Sequence, residues 1–368
     1  MRLKKTTETF KEEVKALVGD EYTVLGGYTN CHIPILIKHN TCGNKYYVSP
    51  TNFLTKNQRC PKCSYDDNKS NSEKEISKFI KSFYNKSILE SDRTILNGQE
   101  LDIYLPENKI AFEFDGLYWH SDKFRDKDYH LNKTIECQKK GIRLIHIFED
   151  EWINKNNIIK SKIKHILGYN DNPKIYARKC YIELIESHTK TSFLNDNHIQ
   201  GDDNSSIRLG LWFPQDDGDV LISVMTFCKP RLSLGQKSNS IYDYELSRFA
   251  CDKDYRVIGA FGKLFAYFKK NYEFGSIITY ADRRWSEGNV YATSNFILDH
   301  YSKPNYWYIP NNTNFREHRF KYRKQNLKKL FPELYDDTKT EFQIMKEAKY
   351  SKIYDCGNMV FIHTNKKE

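Results

Sequence analysis

The chain has 368 residues, 29% of them charged, with a net charge of +10 and a pI of about 8.9, and is long enough for two or three domains with their own cores at roughly 100–200 residues each. The basic surplus points to an anionic partner, nucleic acid ahead of membrane, and no apolar run reaches the roughly 18 residues that a spanning helix needs. The N-terminal "MRLKKTTETFKEEVKALVGD" shows no signal core or cleavage site, so a cytoplasmic location is expected, where nine cysteines should not form a disulfide framework.

Composition divides the chain into blocks at 1–66, 73–168 and 174–368, joined by the polar stretches "DDNKSNS" (66–72) and "GYNDNPK" (168–174). In the first block, "KHNTCGNKYYVSPTNFLTKNQRCPKC" places His39 near Cys42 and Cys60 near Cys63. Two short pairs with turn residues Gly43 and Pro61 beside them match a structural, tetrahedral Zn²⁺ site, and the metal is expected to stand in for a core that about sixty residues cannot build alone. Cys31 is expected on a preceding strand, packing. The stretch resembles the zinc-ribbon or treble-clef modules that recur beside nucleases, which implies a DNA-recognition module.

The second block opens with an amphipathic helix, "SEKEISKFIKSF" (72–83), capped by Ser72, with Glu73 in its first turn and Ile76, Phe79, Ile80 and Phe83 on its buried side. Two strands, 100–105 and 110–115, follow around the turn "PENK". If 105 pairs with 110, then 103 pairs with 112 and Asp102 faces Glu113. Alternation then gathers Glu100, Asp102, Glu113 and Asp115 on one face, with Leu101, Ile103, Leu105, Ile110, Phe112 and Phe114 on the other. Opposed like charges repel, so the acidic face predicts a bound Mg²⁺ on Asp102 and Glu113, unless it is an ordinary solvated surface. His120, five residues on, suits general acid or base work beside a metal-bound water, and Trp119 suits a lid over it. "DYHLNKTIECQKKGIRLIHIFEDEW" (128–152) predicts a helix stopped by Gly141, a strand from 142 to 148 and another helix, with His146 a satisfied core histidine.

This order of elements resembles the PD-(D/E)xK nuclease superfamily. "AFEFDGLYWHSD" and "HLNKTIECQKKGIRLIHIFEDEW" are similar to the branch with very-short-patch repair endonucleases and phage-type EDxHD homing endonucleases. The resemblance implies catalytic roles for Glu73, for Asp102 as principal metal ligand, for His120, and for Asp128 or His130 at the next helix. Asp115 stands where the superfamily places a lysine, two positions after Glu113. The division of labour between Glu113 and Asp115 is therefore open, and His120 is available for the lysine's role.

The third block predicts a hairpin over "IRLGLWFPQDDGDVLISVMTF", then strand, loop and helix twice. "YADRRWSEGNVYATSNF" gives it a resemblance to GNAT-type acyltransferases, in particular phage Mom-type adenine-modification proteins. The glycine loop "RVIGAFGKL" (256–264) departs from the acyl-CoA pattern at Phe261, so no acyl cofactor is expected there. "REHRFKYRKQNLKK" (316–329) carries seven Lys or Arg against one Glu, and Arg316, Arg319, Lys321, Arg323 and Lys324 are expected to grip DNA phosphates.

The expected fold is multidomain α/β, of the α+β kind: a zinc module, a PD-(D/E)xK-like core and a GNAT-like domain. The expected function is site-specific cleavage of double-stranded DNA, of the homing-endonuclease type, with structural Zn²⁺ and catalytic Mg²⁺. The alternatives are a DNA-base modifying transferase with a companion nuclease core, and a DNA-binding protein with an inactive nuclease fold.

Overall fold

Phe10 and Val14, four residues apart, give the first helix, Thr7–Val18, its buried side, and Thr6 caps it by accepting from the Thr9 amide at 3.2 Å. The computed structural model describes residues 5–56, 58–60, 70–231 and 241–365, and the chain folds as two units, 1–75 and 76–368. It is a mixed α and β protein with several separate sheets. In the first unit the strands Tyr22–Val24, Ile35–His39 and Lys45–Val48 form an antiparallel sheet in chain order. Phe10, Val14, Ile35, Ile37, Val48 and Phe53 make a core between this sheet and its helices. Order in this block therefore does not depend on a metal alone, contrary to the expectation from its length. Cys31 lies exposed on a bend, not on a strand.

The helix Asn71–Lys81 takes its cap from Ser70, whose hydroxyl accepts from the Glu73 amide at 3.0 Å, two residues before the predicted cap. Beyond it, in the unit 76–368, the strands Leu89–Leu96, Gln99–Leu105, Ile110–Asp115 and Arg143–Phe148 stand side by side in that order. The first three are antiparallel, and Arg143–Phe148 runs parallel to Ile110–Asp115. A parallel neighbour needs a crossover, and the helix Tyr129–Lys139 provides it. Ile76 and Ile80, together with Ile159 and Ile163 of the helix Asn156–Leu167, pack on one side against Ile103, Leu105, Ile110, Phe112 and Phe114.

The predicted register holds: Ile103 faces Phe112, Tyr104 faces Ala111 and Leu105 faces Ile110. It ends there. The Asp102 carboxylate accepts from the Phe114 amide at 2.8 Å, so a side chain satisfies a backbone donor just beyond the last paired position, Ile103 with Phe112. Leu101 consequently leaves the apolar set assigned to it and packs with Ala111, Cys137 and Leu144.

The rest of this unit is built on a seven-stranded sheet. Its order is Ile297–Tyr301, Asn358–Thr364, Ser276–Asp282, Tyr244–Cys251, Val220–Cys228, Ile207–Phe213 and Tyr181–Leu184. All neighbours are antiparallel except Tyr244–Cys251 and Ser276–Asp282. The expected blocks 73–168 and 174–368 meet through shared packing: Trp285 lies in the core under the four-stranded sheet, and Leu117 and Phe148 pack with Ile309 and Ile353.

Candidate active site

The parallel register sets Glu113 beside His146 and Asp115 beside Phe148. Alternation turns Glu113, Asp115 and His146 towards the helix Tyr129–Lys139, whose buried positions are His130, Lys133, Thr134 and Cys137. The spacing 130, 133, 134, 137 is that of a core-facing helix stripe, yet three of its four members are polar. A polar layer is thus closed between helix and sheet.

Asp115 is its centre. Its Oδ2 lies 2.9 Å from His146 Nδ1, while Oδ1 lies 3.0 Å from His120 Nδ1 and 3.3 Å from His130 Nε2. The two histidine nitrogens are themselves 3.0 Å apart. Burial pushes Asp115 up, but His130, His146 and His120 outweigh it and hold the carboxylate well below its ordinary range. Burial pushes His146 down to about 4, so it is neutral and its Nδ1–H donates to Asp115. On its far side Nε2 lies 3.0 Å from the Thr134 hydroxyl, which is also 3.3 Å from Cys356 Sγ. His146 is the satisfied buried histidine expected, but it serves to fix Asp115.

Glu113 forms a buried ion pair with Lys133. Burial pushes Glu113 up to about 7 against the pull of Lys133, while Glu113 and Asp102 hold the Lys133 ammonium above its ordinary value despite burial. Burial and then Glu113 raise Asp102 well above the carboxylate range. At Glu113 the acidic face is therefore buried, not a solvated strand surface. Its neutralising cation is internal, and sequence reading missed it. The cation over Glu113 comes from the facing helix, and the signal for it was a lysine at the inner position of the 130/133/134/137 stripe.

Beside the Mg²⁺ pair expected on Asp102 and Glu113 stands another donor set. Asp102 is engaged by the Phe114 amide and Glu113 by Lys133, whereas Asp115, His130 and His146 form the cluster with metal-ligand proximity. His120 joins this cluster through Nδ1 and has more solvent access than His130 and His146, with its side chain 14% exposed against 2% and 0%. Between Asp128 and His130, the helix buries His130 in the layer and leaves Asp128 at its N-terminal edge. Glu73 belongs to the unit 1–75. Trp119 does not cover His120 as a lid: it is 63% exposed and packs edge-on against the exposed Tyr118 and tilted against Phe124, at ring distances of 5.0 Å, with Lys123 over Tyr118.

In the first unit the turn after Ile35–His39, with Gly43 at φ 71°, brings His39 Nδ1 within 3.1 Å of Cys42 Sγ, and Cys42 Sγ within 3.7 Å of Cys60 Sγ. Two thiolates held tetrahedrally at 2.3 Å from one ion stand about 3.8 Å apart, so the set His39, Cys42 and Cys60 fits a metal. Glu21 accepts at 3.0 Å from the outer nitrogen of His39 and leaves Nδ1 turned inward. Cys63, the expected fourth ligand, lies outside the described residues.

The basic strip divides. Arg316, expected to grip a phosphate, is buried over the Phe148 ring at 4.1 Å and paired with Asp150 and Glu151 at 2.8 Å. Buried carboxylates require a paired cation, and Arg316 supplies one here. Lys321 pairs at the surface with Glu317, Arg319 lies against Tyr306 and Phe320, Arg323 covers the Phe320 ring at 3.7 Å, and Lys324 donates to the Asp337 carbonyl at 2.6 Å.

No protein-family model matches the sequence, and no curated protein matches it. Among solved structures, the catalytic domain of the homing endonuclease I-Bth0305I is similar over 27% of this chain and 96% of its own length, at 21% identity and a TM-score of 0.23.

Proposed function

We propose that residues 76–168 form a metal-dependent nuclease centre acting on DNA, with Asp115, His120 and His130 as the metal-holding set. The observation that carries this reading is the triangle of Asp115 Oδ1, His120 Nδ1 and His130 Nε2, with edges of 3.0, 3.0 and 3.3 Å. Ligands at about 2.1 Å on one octahedral face lie about 3.0 Å apart. Two imidazoles and one carboxylate suit Mn²⁺ or Zn²⁺ better than the Mg²⁺ expected from carboxylates alone. Bound there, such an ion would polarise a phosphodiester and lower the pKa of a water.

The protein's own groups divide the remaining work. His146 holds Asp115 in place, Lys133 carries positive charge beside the site, and His120 is the imidazole nearest solvent, where a phosphate can approach. The net charge of +10 and the exposed rings of Tyr118, Trp119 and Phe124 support DNA as the substrate, since charge draws the backbone and open rings stack on bases. The module at His39, Cys42, Cys60 and Cys63 is proposed to hold zinc and to contribute to DNA recognition. Plasmid cleavage by zinc-replete protein tests the catalytic reading, with Mn²⁺, Zn²⁺ or Mg²⁺ supplied in turn. Activity that depends on added metal and disappears in Asp115→Asn is expected; an Asp115→Asn variant cutting at the parental rate sinks the assignment.

A second reading has its own support in the seven-stranded sheet. The parallel strands Tyr244–Cys251 and Ser276–Asp282 pair only from Tyr244/Ile277 to Leu246/Thr279. A cavity of about 750 Å³ borders residues 255–262, where Gly259 (φ 82°) precedes the helix Ala260–Asn271. A helix N-terminus of this kind suits a phosphate group, which favours an acyltransferase-like modification of DNA bases as an additional activity. Phe261, the departure from the acyl-CoA pattern, is buried edge-on against Phe249. Mass spectrometry of nucleosides after incubation of DNA with acetyl-CoA tests this reading, and unmodified nucleosides throughout reject it.

A further inference from the structure

A second cavity, of about 530 Å³, opens in the unit 76–368, and neither Asp115 nor any of its histidines lines it. Such a volume suits a small organic ligand, since these occupy roughly 300–1,000 Å³. Its charges are unevenly matched. Arg284 is fully engaged by Glu151 at 3.0 Å and Asp282 at 2.7 Å. Among the described residues, Arg248 donates to the neutral carbonyls of Gly201 and Ser247, at 3.2 and 2.8 Å, and has no ion pair. Lys162 stands 5.8 Å from the Trp285 ring centre and, among the described residues, has no ion pair.

Two further donors are buried without an acceptor: Nη1 of Arg316, on a side chain 8% exposed, and Nε1 of Trp285, a residue 7% exposed. A buried donor left unsatisfied costs roughly 1–3 kcal/mol, and native structures keep few of them without a ligand or ordered water. Waters would serve the donors but would gain nothing from the aromatic walls, to which Phe249, Trp285 and Trp307 contribute. The lining carboxylates Glu151 and Asp282 are answered by Arg284, and Asp355 by the Asn305 and Gly357 amides; two cations with no ion pair among the described residues, unmet N–H groups and flat apolar rings together select an anion that carries an aromatic ring system.

We propose that this cavity is a nucleotide site, in which Lys162 and Arg248 take the phosphate, Arg316 and Trp285 supply further N–H donors, and the aromatic walls receive the base. Two sources offer this chemistry: a free nucleotide, or a nucleotide turned out of a DNA strand. The site does not depend on the nuclease reading, because it shares no residue with the metal-holding set.

The test titrates the full chain with each deoxynucleoside 5′-monophosphate, with inorganic phosphate and with a single-stranded oligonucleotide carrying one 2-aminopurine, read by calorimetry and fluorescence. One-to-one binding of at least one mononucleotide, roughly tenfold tighter than phosphate, is expected, with a roughly tenfold loss in Lys162→Met. Trp285→Phe, which keeps a ring and removes only the indole donor, should weaken binding in the same direction and serves if Lys162→Met does not fold. A 2-aminopurine signal that mononucleotide displaces in the parent, and that Lys162→Met lacks, assigns the site to nucleotides of a DNA strand; mononucleotide binding without that signal assigns it to free nucleotides. Phosphate binding as tight as nucleotide, parental affinity in folded Lys162→Met and Trp285→Phe, or neither mononucleotide binding nor a displaceable 2-aminopurine signal overturns the proposal. Parental plasmid cleavage by Lys162→Met would leave the nuclease reading standing whatever the outcome here.

Discussion

His120 Nδ1 and His130 Nε2 face each other at 3.0 Å, on rings inclined by only 16°. Two nitrogens at that distance cannot both present a proton or both present a lone pair, so a single proton or a cation lies between them, with Asp115 Oδ1 in reach of both. Binding to the native state alone stabilises it by about 2.7 kcal/mol at a ligand concentration a hundred times the dissociation constant. Titrating Mn²⁺ into zinc-replete protein is therefore expected to raise the melting temperature, and His130→Ala or Asp115→Asn to abolish the rise. Thermal melts across a Mn²⁺ series check this; an undiminished rise in both variants places the ion elsewhere.

Lys133 and Glu113 form a buried pair, and removing one partner of such a pair leaves an uncompensated charge, at a cost of about 3–5 kcal/mol. Lys133→Met is expected to lose stability of that order. The double variant Lys133→Met, Glu113→Gln should recover much of the loss, because neither charge remains. Urea denaturation of the four proteins of this cycle measures the coupling, and simple additivity would mean that the pair does not act as one.

The contrast between the expected and observed acidic face shows what sequence carries and where it stops. Strand positions and the pairing of Ile103 with Phe112 were legible because period-two alternation and a four-residue turn fix a hairpin locally. The zinc-type spacing at His39 and Cys42 was legible for the same local reason. What lay over Glu113 was not, since that depends on a crossover helix docking twenty residues later in the chain. Asp115 and His146, thirty-one residues apart, meet only through the parallel register. Arg316 misled because charge composition does not distinguish a surface cation from one answering Asp150 and Glu151 more than 160 positions away.

Asp355 offers a test by pH. Burial and then the neighbouring Asp282 push its carboxyl up to about 6, although its oxygen accepts from the Asn305 and Gly357 amides at 2.7 and 2.8 Å. A carboxyl raised in the folded state binds more protons there than in the unfolded chain, so stability falls as pH climbs from about 4 to about 6 and stays lower above it. Asp355→Asn keeps the accepting oxygen and removes the ionisation. It should match the parent at pH 4 and exceed it at pH 8 by up to about 3 kcal/mol, at about 1.4 kcal/mol per pKa unit. Equal stability at both pH values would refute the assignment.

At the N-terminal module, about one zinc per chain is expected on elemental analysis, lost in a Cys42→Ala, Cys60→Ala variant. Glu21 touches only the outer nitrogen of His39, at 3.0 Å. Glu21→Gln should therefore retain zinc but weaken it by about 10-fold or more in chelator competition, as outer-shell losses do. Unchanged competition would reduce Glu21 to a surface partner.

The basic strip divides into one structural arginine and three residues proposed to meet phosphate, and salt dependence separates them. Arg316 lies over Phe148 and answers Asp150 and Glu151 with its side chain 8% exposed, so Arg316→Ala removes a cation from two carboxylates and leaves Glu151 with Arg284 alone. It should lower the melting temperature while changing little in the slope of log affinity for DNA against log salt. Lys321, half-exposed and paired only at the surface with Glu317, gives up little stability when replaced, because such pairs contribute about 0–1 kcal/mol. Each phosphate contact to duplex DNA contributes about 0.9 to the slope. Replacing Arg319, Lys321 and Arg323 together by alanine is accordingly expected to flatten it by about 2 to 3, with the melting temperature near the parent's. Fluorescence anisotropy on a duplex across a salt series, run beside thermal melts, reads both quantities on the same samples. A slope that drops with Arg316→Ala and holds in the triple variant would reverse the division and return Arg316 to the DNA.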